Sequence, residues 1–376
     1  MITKLKILNF KSHKSSEIET GRLTLLTGIN SSGKSSVLQS LLLLRQSFKK
    51  NRLSAGLDLN SPLCDIGNGL DALYQFAADS EIITFGLEIN KLQKYEFRFN
   101  VHNRYNETFL PQDCPMILKA ELLRLPLFTN KFQYLSAGRV AGIDLYPMDS
   151  YAVETEKQLS INYGQGELVA HFLEFYGENR DFNVQSDLVL HPSIKSSKLL
   201  DQTIAWESEI SPRLTMMPIK KTDRVSINYG YKGIGSQSPT KNIQPKNVGF
   251  GISYSLSIVV ALLSAEPGAL LILENPEAHL HPRGQSKLAE LIALTAKSGV
   301  QIFIESHSDH IFNGIRKAVA ANIINIEDVK IHFFELNGNN TSASTEIQLT
   351  EKGRVLNAPK GLFDQFDDDL DILLGL

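Results

Sequence analysis

The chain has few cysteines, little net charge and no long apolar run. Cys64 and Cys114 lie far apart without metal-ligand spacing, which excludes a disulfide framework and favours a reducing, cytoplasmic setting. A formal net charge of −3 argues against a broad basic nucleic-acid surface but leaves local patches open. No apolar run approaches the roughly eighteen residues that a membrane span needs. We therefore expect an ordinary globular protein with no membrane partner.

Hydrophobic periodicity predicts strands and helices along most of the chain. Strands are expected at Ile2–Phe10, Ile18–Thr27, Ile82–Ile89, Tyr95–Val101, Phe132–Ser136, Ala269–Leu273 and Val300–Ile304. Helices are expected at Ser32–Phe48, Glu167–Tyr176, Lys198–Ser211, Ile252–Ser264 and Pro282–Lys297. Lys11–Ser16 is expected to be a polar turn. Buried strands that alternate with helices indicate an α/β fold with a parallel core.

The same patterning divides the chain into four predicted domains. Residues 1–150 and 246–345 are the two lobes of the α/β core. Residues 151–245 are more polar, which predicts a partly helical insertion that ends in a flexible, lid-like loop at Tyr231–Pro245. Residues 346–376 form a tail whose acidic cluster is expected to be a solvated face or a docking site for a partner.

A complete phosphate-binding loop occupies residues 28–35. The segment Gly-Ile-Asn-Ser-Ser-Gly-Lys-Ser fits GxxxxGK[ST] and lies between a predicted strand and a predicted helix, which is the setting that the motif requires. Its backbone N–H groups can cradle phosphates, Lys34 can reach the β- and γ-phosphates, and Ser35 can place its hydroxyl on Mg²⁺. The predicted ATP-binding residues of this loop are Gly28, Asn30, Ser31, Ser32, Gly33, Lys34, Ser35 and Ser36.

Further polar residues follow the later strands. Glu274 ends an apolar strand, a position from which a carboxylate can hold Mg²⁺ through water opposite Ser35. His307 follows the next strand along the chain. At the start of the predicted helix 252–264, N–H and hydroxyl groups could contact an anion, or the glycines could simply cap the helix. The residues concerned are Gly249, Gly251 and Ser253.

These motifs together resemble the SMC/RecF/OLD-like branch of ABC-type ATPases, which are often described as AAA-family ATPases. The likeness rests on the opening Leu5–Ser12, the phosphate loop, Glu274–Pro282 and Glu305–Ser308, and it covers about 1–50 and 245–370. Gly353–Gln365 also resembles the short C-terminal domain of one prokaryotic subgroup. The resemblance implies an ABC-type P-loop head with mixed and parallel sheets flanked by helices.

The resemblance also implies a cycle in which two heads close on ATP and hydrolysis reopens the dimer. Lys34 and Glu274 would act in cis, residues 247–253 would cap the γ-phosphate in trans, and His307 would sense that phosphate. Such cycles control DNA access or gate an effector, including nucleases of bacterial anti-phage modules. The expected partners are a second copy, an effector or nuclease, and DNA; RecF-like DNA repair is an alternative role. The stretch after His307 is expected to be too short for a Toprim nuclease domain.

Asn275 departs from the ABC pattern, in which a glutamate at this position polarises the attacking water. An amide orients water but cannot accept its proton. Glu277 is the predicted substitute base and Glu305 a second option, which makes the predicted catalytic set Glu274, Asn275, Glu277 and His307. If neither glutamate acts, the chain is a slow or nucleotide-locked scaffold. A membrane-transporter motor fits poorly, because the opening and the 274–279 segment differ from that branch.

Two side-chain assignments remain open. The glutamine that contacts Mg²⁺ in this fold is either Gln75 or Gln133, and the predicted metal set is Ser35, Glu274 and Gln133. His279 and His281 have the alternation of a zinc site, but a contact between subunits is the simpler role.

Overall fold

The computed structural model describes residues 1–77, 80–115, 117–178, 182–233 and 240–374. The strands are β1 (Ile2–Phe10), β2 (His13–Glu19), β3 (Leu23–Gly28), β4 (Gly56–Asp58), β5 (Ile82–Ile89), β6 (Gln93–Asn100), β7 (Phe109–Pro111), β8 (Phe132–Leu135), β9 (Tyr146–Pro147), β10 (Leu214–Lys220), β11 (Arg224–Tyr231), β12 (Leu270–Glu274), β13 (Gln301–Glu305), β14 (Val329–Leu336) and β15 (Ser342–Glu346). The helices are α1 (Lys34–Lys49), α2 (Gly69–Ala72), α3 (Lys119–Leu122), α4 (Val169–Tyr176), α5 (Leu199–Ile210), α6 (Phe250–Ser264), α7 (Pro282–Lys297), α8 (Asp309–Ala320) and α9 (Gln365–Leu374).

The described residues form two compact units. The first contains residues 1–60, 65–117 and 305–376, and the second contains 61–64 and 118–304. This division differs from the four predicted domains, because α4 and α5 of the predicted insertion pack against α6 of the predicted C-terminal lobe. Residues 151–245 therefore belong to the second unit, and their description as an insertion stays a prediction.

In the first unit, an antiparallel sheet and a mixed set of strands carry the phosphate loop. The antiparallel sheet has the order β2-β1-β5-β6. β14 pairs in parallel with β3 and antiparallel with β15. Every residue of β3 except its last is buried, as expected for a strand covered on both faces. This strand leads directly into the phosphate loop and α1.

In the second unit, three adjacent strands and a buried helix carry the other predicted site residues. β8 pairs in parallel with β12, and β12 also neighbours β13. Twelve of the fifteen residues of α6 are buried, so this helix is a core element and is apolar on nearly all sides. β10, β11 and β9 form a separate antiparallel sheet. The predicted α/β class, with mixed and parallel sheets, is confirmed.

Several predicted elements are confirmed at their bounds, including Ile2–Phe10, Ile82–Ile89 and Pro282–Lys297. The polar turn predicted at Lys11–Ser16 is too long, because β2 pairs with β1 from His13 onward. The β10–β11 hairpin was not predicted, since Pro218 interrupts a strand that is only partly buried. Residues 234–239 of the predicted lid-like loop lie outside the described residues. Within the described ranges, no helix combines the length and the hydropathy of a membrane span.

One buried carboxyl group lies between α5 and α6. Glu207 has no solvent exposure, and both of its oxygens accept from the Ser255 hydroxyl, at 3.0 and 3.1 Å. Burial raises the pKa of Glu207 from 4.5 to about 8, and the Ser255 hydrogen bond opposes this only in part. The folded chain therefore holds this group protonated near neutral pH, whereas the unfolded chain ionises it.

We expect Glu207 to make the protein less stable as the pH rises from 4.5 to about 8. Over that window only the folded state retains the proton, so the contribution falls by about 1.4 kcal/mol per pH unit and levels off above it. Urea unfolding at several pH values should show a flatter profile for Glu207→Gln than for wild type. Glu209→Gln, on the partly exposed side of the same helix, is the control. An unchanged slope in Glu207→Gln would contradict the assignment.

Candidate functional site

The phosphate loop is tightly enclosed by its neighbours in the first unit. Gly33, the residue before α1, has a φ of 98°, a conformation that favours glycine. A Cβ atom at this position would lie 2.2 Å from Ser342 Oγ and 2.8 Å from His13 Nε2. The Ile29 N–H donates to the Phe334 carbonyl at 3.1 Å, which fixes the loop to β14. The second glycine of the motif is thus required by both conformation and space.

Lys34 is almost completely buried and donates to main-chain carbonyl groups of its own loop. Its Nζ lies 3.2 Å from the Gly28 oxygen and 2.6 Å from the Ile29 oxygen. Burial lowers the pKa of Lys34, and the Glu305 carboxylate opposes this shift. A cation in this position is suited to contact phosphate oxygens.

Ser35 and Glu305 form the pair of oxygen groups next to this cation. The Ser35 hydroxyl donates to Glu305 Oε1 at 2.8 Å, and Glu305 is 6% exposed. Hydroxyl and carboxylate oxygens are the ligands that Mg²⁺ prefers, so the donor set fits this ion. The sequence predicted Ser35 as a metal-binding residue, but it considered Glu305 only as an optional base.

An open pocket of about 560 Å³ lies over the loop. This volume is in the range of small-molecule sites. Its lining residues are Lys11, Ser12, Asn30, Ser31, Ser32, Gly33, Lys34, Ser35, Ser36, Gln39, Glu305 and His307. Partial burial and the Lys34 charge lower the pKa of His307, so at pH 7 its imidazole is neutral and can both donate and accept a hydrogen bond. The pocket thus joins the predicted loop residues to the predicted sensor histidine.

Two polar residues that the sequence did not identify, His13 and Ser342, hold the backbone of the loop. Buried His13 contacts the Gly33 carbonyl through Nε2 at 2.9 Å and Ser16 Oγ through Nδ1 at 2.8 Å. The Ser342 hydroxyl donates to the Ser32 carbonyl at 2.7 Å and lies 2.6 Å from Ser12 Oγ. Ser342 is remote in sequence, and only the β14–β15 hairpin brings it to the loop. The available signal was the Lys-Ser-His segment between two predicted strands.

In the second unit, β8 and the loop that follows it hold Glu274, the carboxylate predicted to bind Mg²⁺ through water. Tyr134 Oη donates to Glu274 Oε1 at 3.0 Å, and the Ala137 N–H donates to Oε2 at 3.1 Å. Burial raises the pKa of Glu274, and these two hydrogen bonds oppose the shift. That Glu274 acts together with Ser35 stays a prediction.

The two residues proposed for water activation follow directly. Asn275 has a φ of 42°, in the left-handed region that asparagine tolerates better than most side chains. Glu277 is half-buried, and its carbonyl accepts from the Leu280 N–H in a tight turn. Their catalytic roles also stay predictions.

The residues predicted to contact an anion lie at the start of α6. Gly249 is exposed and precedes α6, and a Cβ atom on Gly251 would lie 2.4 Å from the His279 carbonyl oxygen. Ser253 is only 2% exposed, because it lies on the core-facing side of this buried helix. Its hydroxyl is therefore buried at the helix start, and its contact with an anion stays a prediction.

Gln133 uses its side-chain amide within the second unit. Its Nε2 donates to the Lys157 carbonyl at 2.5 Å, and its Oε1 accepts from the Leu159 N–H at 3.2 Å. Both ends of the amide thus hold the 157–159 segment, and a contact of Gln133 with Mg²⁺ stays a prediction. Gln75 is exposed and does not line the pocket over the phosphate loop. Across the described ranges, no group of three or more His, Cys, Asp or Glu side chains is arranged to hold a metal ion.

Three family models match separate parts of the chain. Residues 1–114 match the model described as "AAA ATPase domain". Residues 177–313 match the model described as "AAA domain, putative AbiEii toxin, Type IV TA system". Residues 324–373 match "Protein of unknown function (DUF3696)". A comparison with curated proteins gives no match.

Solved structures show the same fold at low sequence identity. An Smc head bound to the C-terminal winged-helix domain of ScpA matches with a TM-score of 0.58 and 14% identity, over 93% of this chain and 98% of the other. An Smc head with an extended coiled coil, bound to the C-terminal domain of ScpA from Pyrococcus furiosus, matches with a TM-score of 0.52 and 12% identity. That match covers 100% of this chain and 98% of the other.

We expect Glu305→Gln to weaken nucleotide binding only when magnesium is present. The amide can still accept from Ser35 but has no charge, so affinity for Mg-ATP should fall by roughly tenfold or more. Affinity for ATP in EDTA should stay the same or rise. Titration calorimetry with and without Mg²⁺ measures both, and Asp309→Asn, an exposed carboxylate outside the pocket, is the control. Equal losses with and without magnesium would contradict a role at the metal.

The site geometry and the family models both indicate an ATPase. A phosphate loop with an adjacent carboxylate and histidine occupies the first unit. Two AAA family models match residues 1–114 and 177–313. The fold is that of Smc heads. The chain therefore contains an AAA ATPase, as the two family models describe it, in the fold of Smc heads.

Proposed function

We propose that this ATPase dimerises on ATP and regulates an effector complex that acts on DNA or in anti-phage defence, in the cytoplasm. The observation that carries the ATP-dependent part is the Ser35–Glu305 hydrogen bond beside buried Lys34, in the pocket that His307 also lines. This arrangement has a cation for the phosphates, oxygen ligands for Mg²⁺ and a neutral imidazole for the γ-phosphate. These groups fit MgATP better than they fit an anion that carries no metal ion.

The predicted binding and catalytic residues have separable roles in hydrolysis. Lys34 and the loop N–H groups bind the phosphates, while Ser35 and Glu305 would hold Mg²⁺, which when bound neutralises phosphate charge. As water bonds to the γ-phosphorus, the bond to the bridging oxygen breaks, ADP leaves, and a carboxylate accepts the water proton. Glu277 is the proposed acceptor, with Glu305 as the alternative, and neutral His307 donates a hydrogen bond to the transferred phosphoryl group.

The start of α6 supports a contact between two copies. Gly249 and Phe250 are exposed there, and Phe250 is 50% exposed although it is a large apolar side chain. Its ring contacts His279, with ring centroids 4.7 Å apart, so an aromatic pair frames the helix start. A second copy that places its bound γ-phosphate against the backbone N–H groups at the start of α6 would cover this surface.

The C-terminal region supports a protein partner. α9 exposes Leu370, Ile372, Leu373 and Leu374, with 82% exposure for Leu373, in a segment rich in aspartate. Monomeric proteins rarely leave such apolar runs uncovered. The two Smc heads of similar fold were each solved with a domain of ScpA, which supports a role of this kind for the head without identifying the partner.

A nucleotide-locked scaffold is the second candidate function. It is favoured by Asn275, which replaces the expected glutamate. An amide at this position can orient water without accepting its proton, so ATP would hold the dimer closed instead of driving a cycle.

We expect the purified chain to release phosphate from ATP, and Lys34→Ala to reduce the rate by roughly a hundredfold or more, because the phosphates lose their main cation. Lys49→Ala, at the exposed end of α1, is the matched control. Phosphate release should be measured with and without DNA. Binding without turnover in wild type, together with turnover in Asn275→Glu, would contradict the hydrolytic proposal and support the scaffold.

We expect MgATP to convert a monomer of 41.9 kDa into a species of twice that mass in light scattering. Phe250→Asp should prevent this conversion through charge at the contact surface, while nucleotide binding persists. Leu92→Asp, which alters an 84% exposed side chain in the β5–β6 turn, serves as the control. A dimer that forms equally well in Phe250→Asp would argue against this surface.

A further inference from the structure

Arg139 is a buried cation whose hydrogen bonds go to main-chain carbonyl groups. It is 5% exposed, and its Nη1 donates to the Ser136 and Glu274 carbonyls, the latter at 2.6 Å. Its Nη2 donates to the Asn275 carbonyl at 2.9 Å, and its Nε donates to the Tyr254 carbonyl at 3.4 Å. One guanidinium thus binds the end of β12 and the first turns of α6 together.

The Tyr254 side chain also connects α6 to the loop that follows β8. The Arg139 guanidinium lies 4.1 Å from the centroid of the Tyr254 ring, a cation–π contact. The Tyr254 hydroxyl donates to the Ala137 carbonyl, in the loop whose Ala137 N–H holds the Glu274 carboxylate. Glu274 is therefore connected to α6 through both its backbone and its side chain.

Burying a charged guanidinium costs free energy, and we interpret this cost as a sign that the position of these groups matters. A buried guanidinium without a paired carboxylate forgoes much of its hydration, and burial lowers the pKa of Arg139 to about 10. The group remains charged at pH 7. Its two carbonyl partners at the strand end, those of Glu274 and Asn275, lie on either side of the Cα of Asn275, which adopts a φ of 42°. The guanidinium therefore stabilises the backbone turn that directs both site residues.

We propose that Arg139 is a positioning residue that couples the start of α6 to Glu274 and Asn275. The exposed start of α6 carries Gly249 and Phe250, and the Arg139–Tyr254 contact lies one turn further along the helix. A nucleotide or partner that contacts this helix start is thereby linked to the orientation of the Glu274 carboxylate. This inference rests on the proposed ATPase function, and it assigns to Arg139 a role in turnover without contact to the nucleotide.

The kinetic test uses Arg139→Lys, which keeps the charge but cannot span the carbonyls of two chain segments. We expect kcat to fall by roughly tenfold to a hundredfold, while KM and the affinity for ATP stay near the wild-type values. Tyr254→Phe, which keeps the ring, should lose less than Tyr254→Leu. Arg139→Lys combined with Tyr254→Leu should lose little more than either alone, because both break one connection. A wild-type kcat in Arg139→Lys, or purely additive losses, would overturn the proposal.

Hydrogen–deuterium exchange separates this inference from the proposed function, because it needs no turnover. In Arg139→Lys the amides of Ala137 and Ala278, which donate to Glu274 Oε2 and to the Asn275 carbonyl, should exchange faster. Lys34→Ala should leave both unchanged. Unaltered exchange in Arg139→Lys would overturn the coupling even if the wild type hydrolyses ATP. A wild type without hydrolysis but with the expected exchange difference would contradict only the proposed function.

Discussion

Burial of a cation against main-chain carbonyl groups organises each unit of this ATPase. In the first unit, Lys34 donates to the carbonyls of Gly28 and Ile29. In the second, Arg139 donates to the carbonyls of Glu274 and Asn275. A buried cation is stable only when its N–H groups have acceptors, so the loops that supply the carbonyls must keep their shape. The chemistry of the site therefore depends on the backbone of two strand-end loops.

The backbone at these loops adopts conformations that few residues tolerate. Gly33 has a φ of 98° and no space for a Cβ atom, and Asn275 has a φ of 42°. Residues in the left-handed region persist where the surroundings impose them. The hydrogen bonds of His13 and Ser342 hold the phosphate loop in its conformation, and those of Arg139 hold the end of β12. Polar residues outside the motifs thus hold the backbone on which the motif residues lie.

The placement of Glu305 changes how the missing glutamate at position 275 is interpreted. From the sequence, Asn275 suggests a weakened catalyst. The structure adds a buried carboxylate that accepts from Ser35 at 2.8 Å, in the pocket that carries the phosphate loop. A carboxylate is thus present beside the loop even though it does not come from the expected strand.

The sequence by itself determined the phosphate loop, its flanking strand and helix, and the α/β class, because these depend on local spacing and periodicity. It also identified Glu274 and His307 at strand ends. Only the tertiary structure decided which distant residues support them. Ser342 reaches the loop through strand pairing, Gln133 is taken up by the 157–159 segment, and Ser253 faces the core. Such contacts join residues far apart in the chain, so no local pattern of side chains records them.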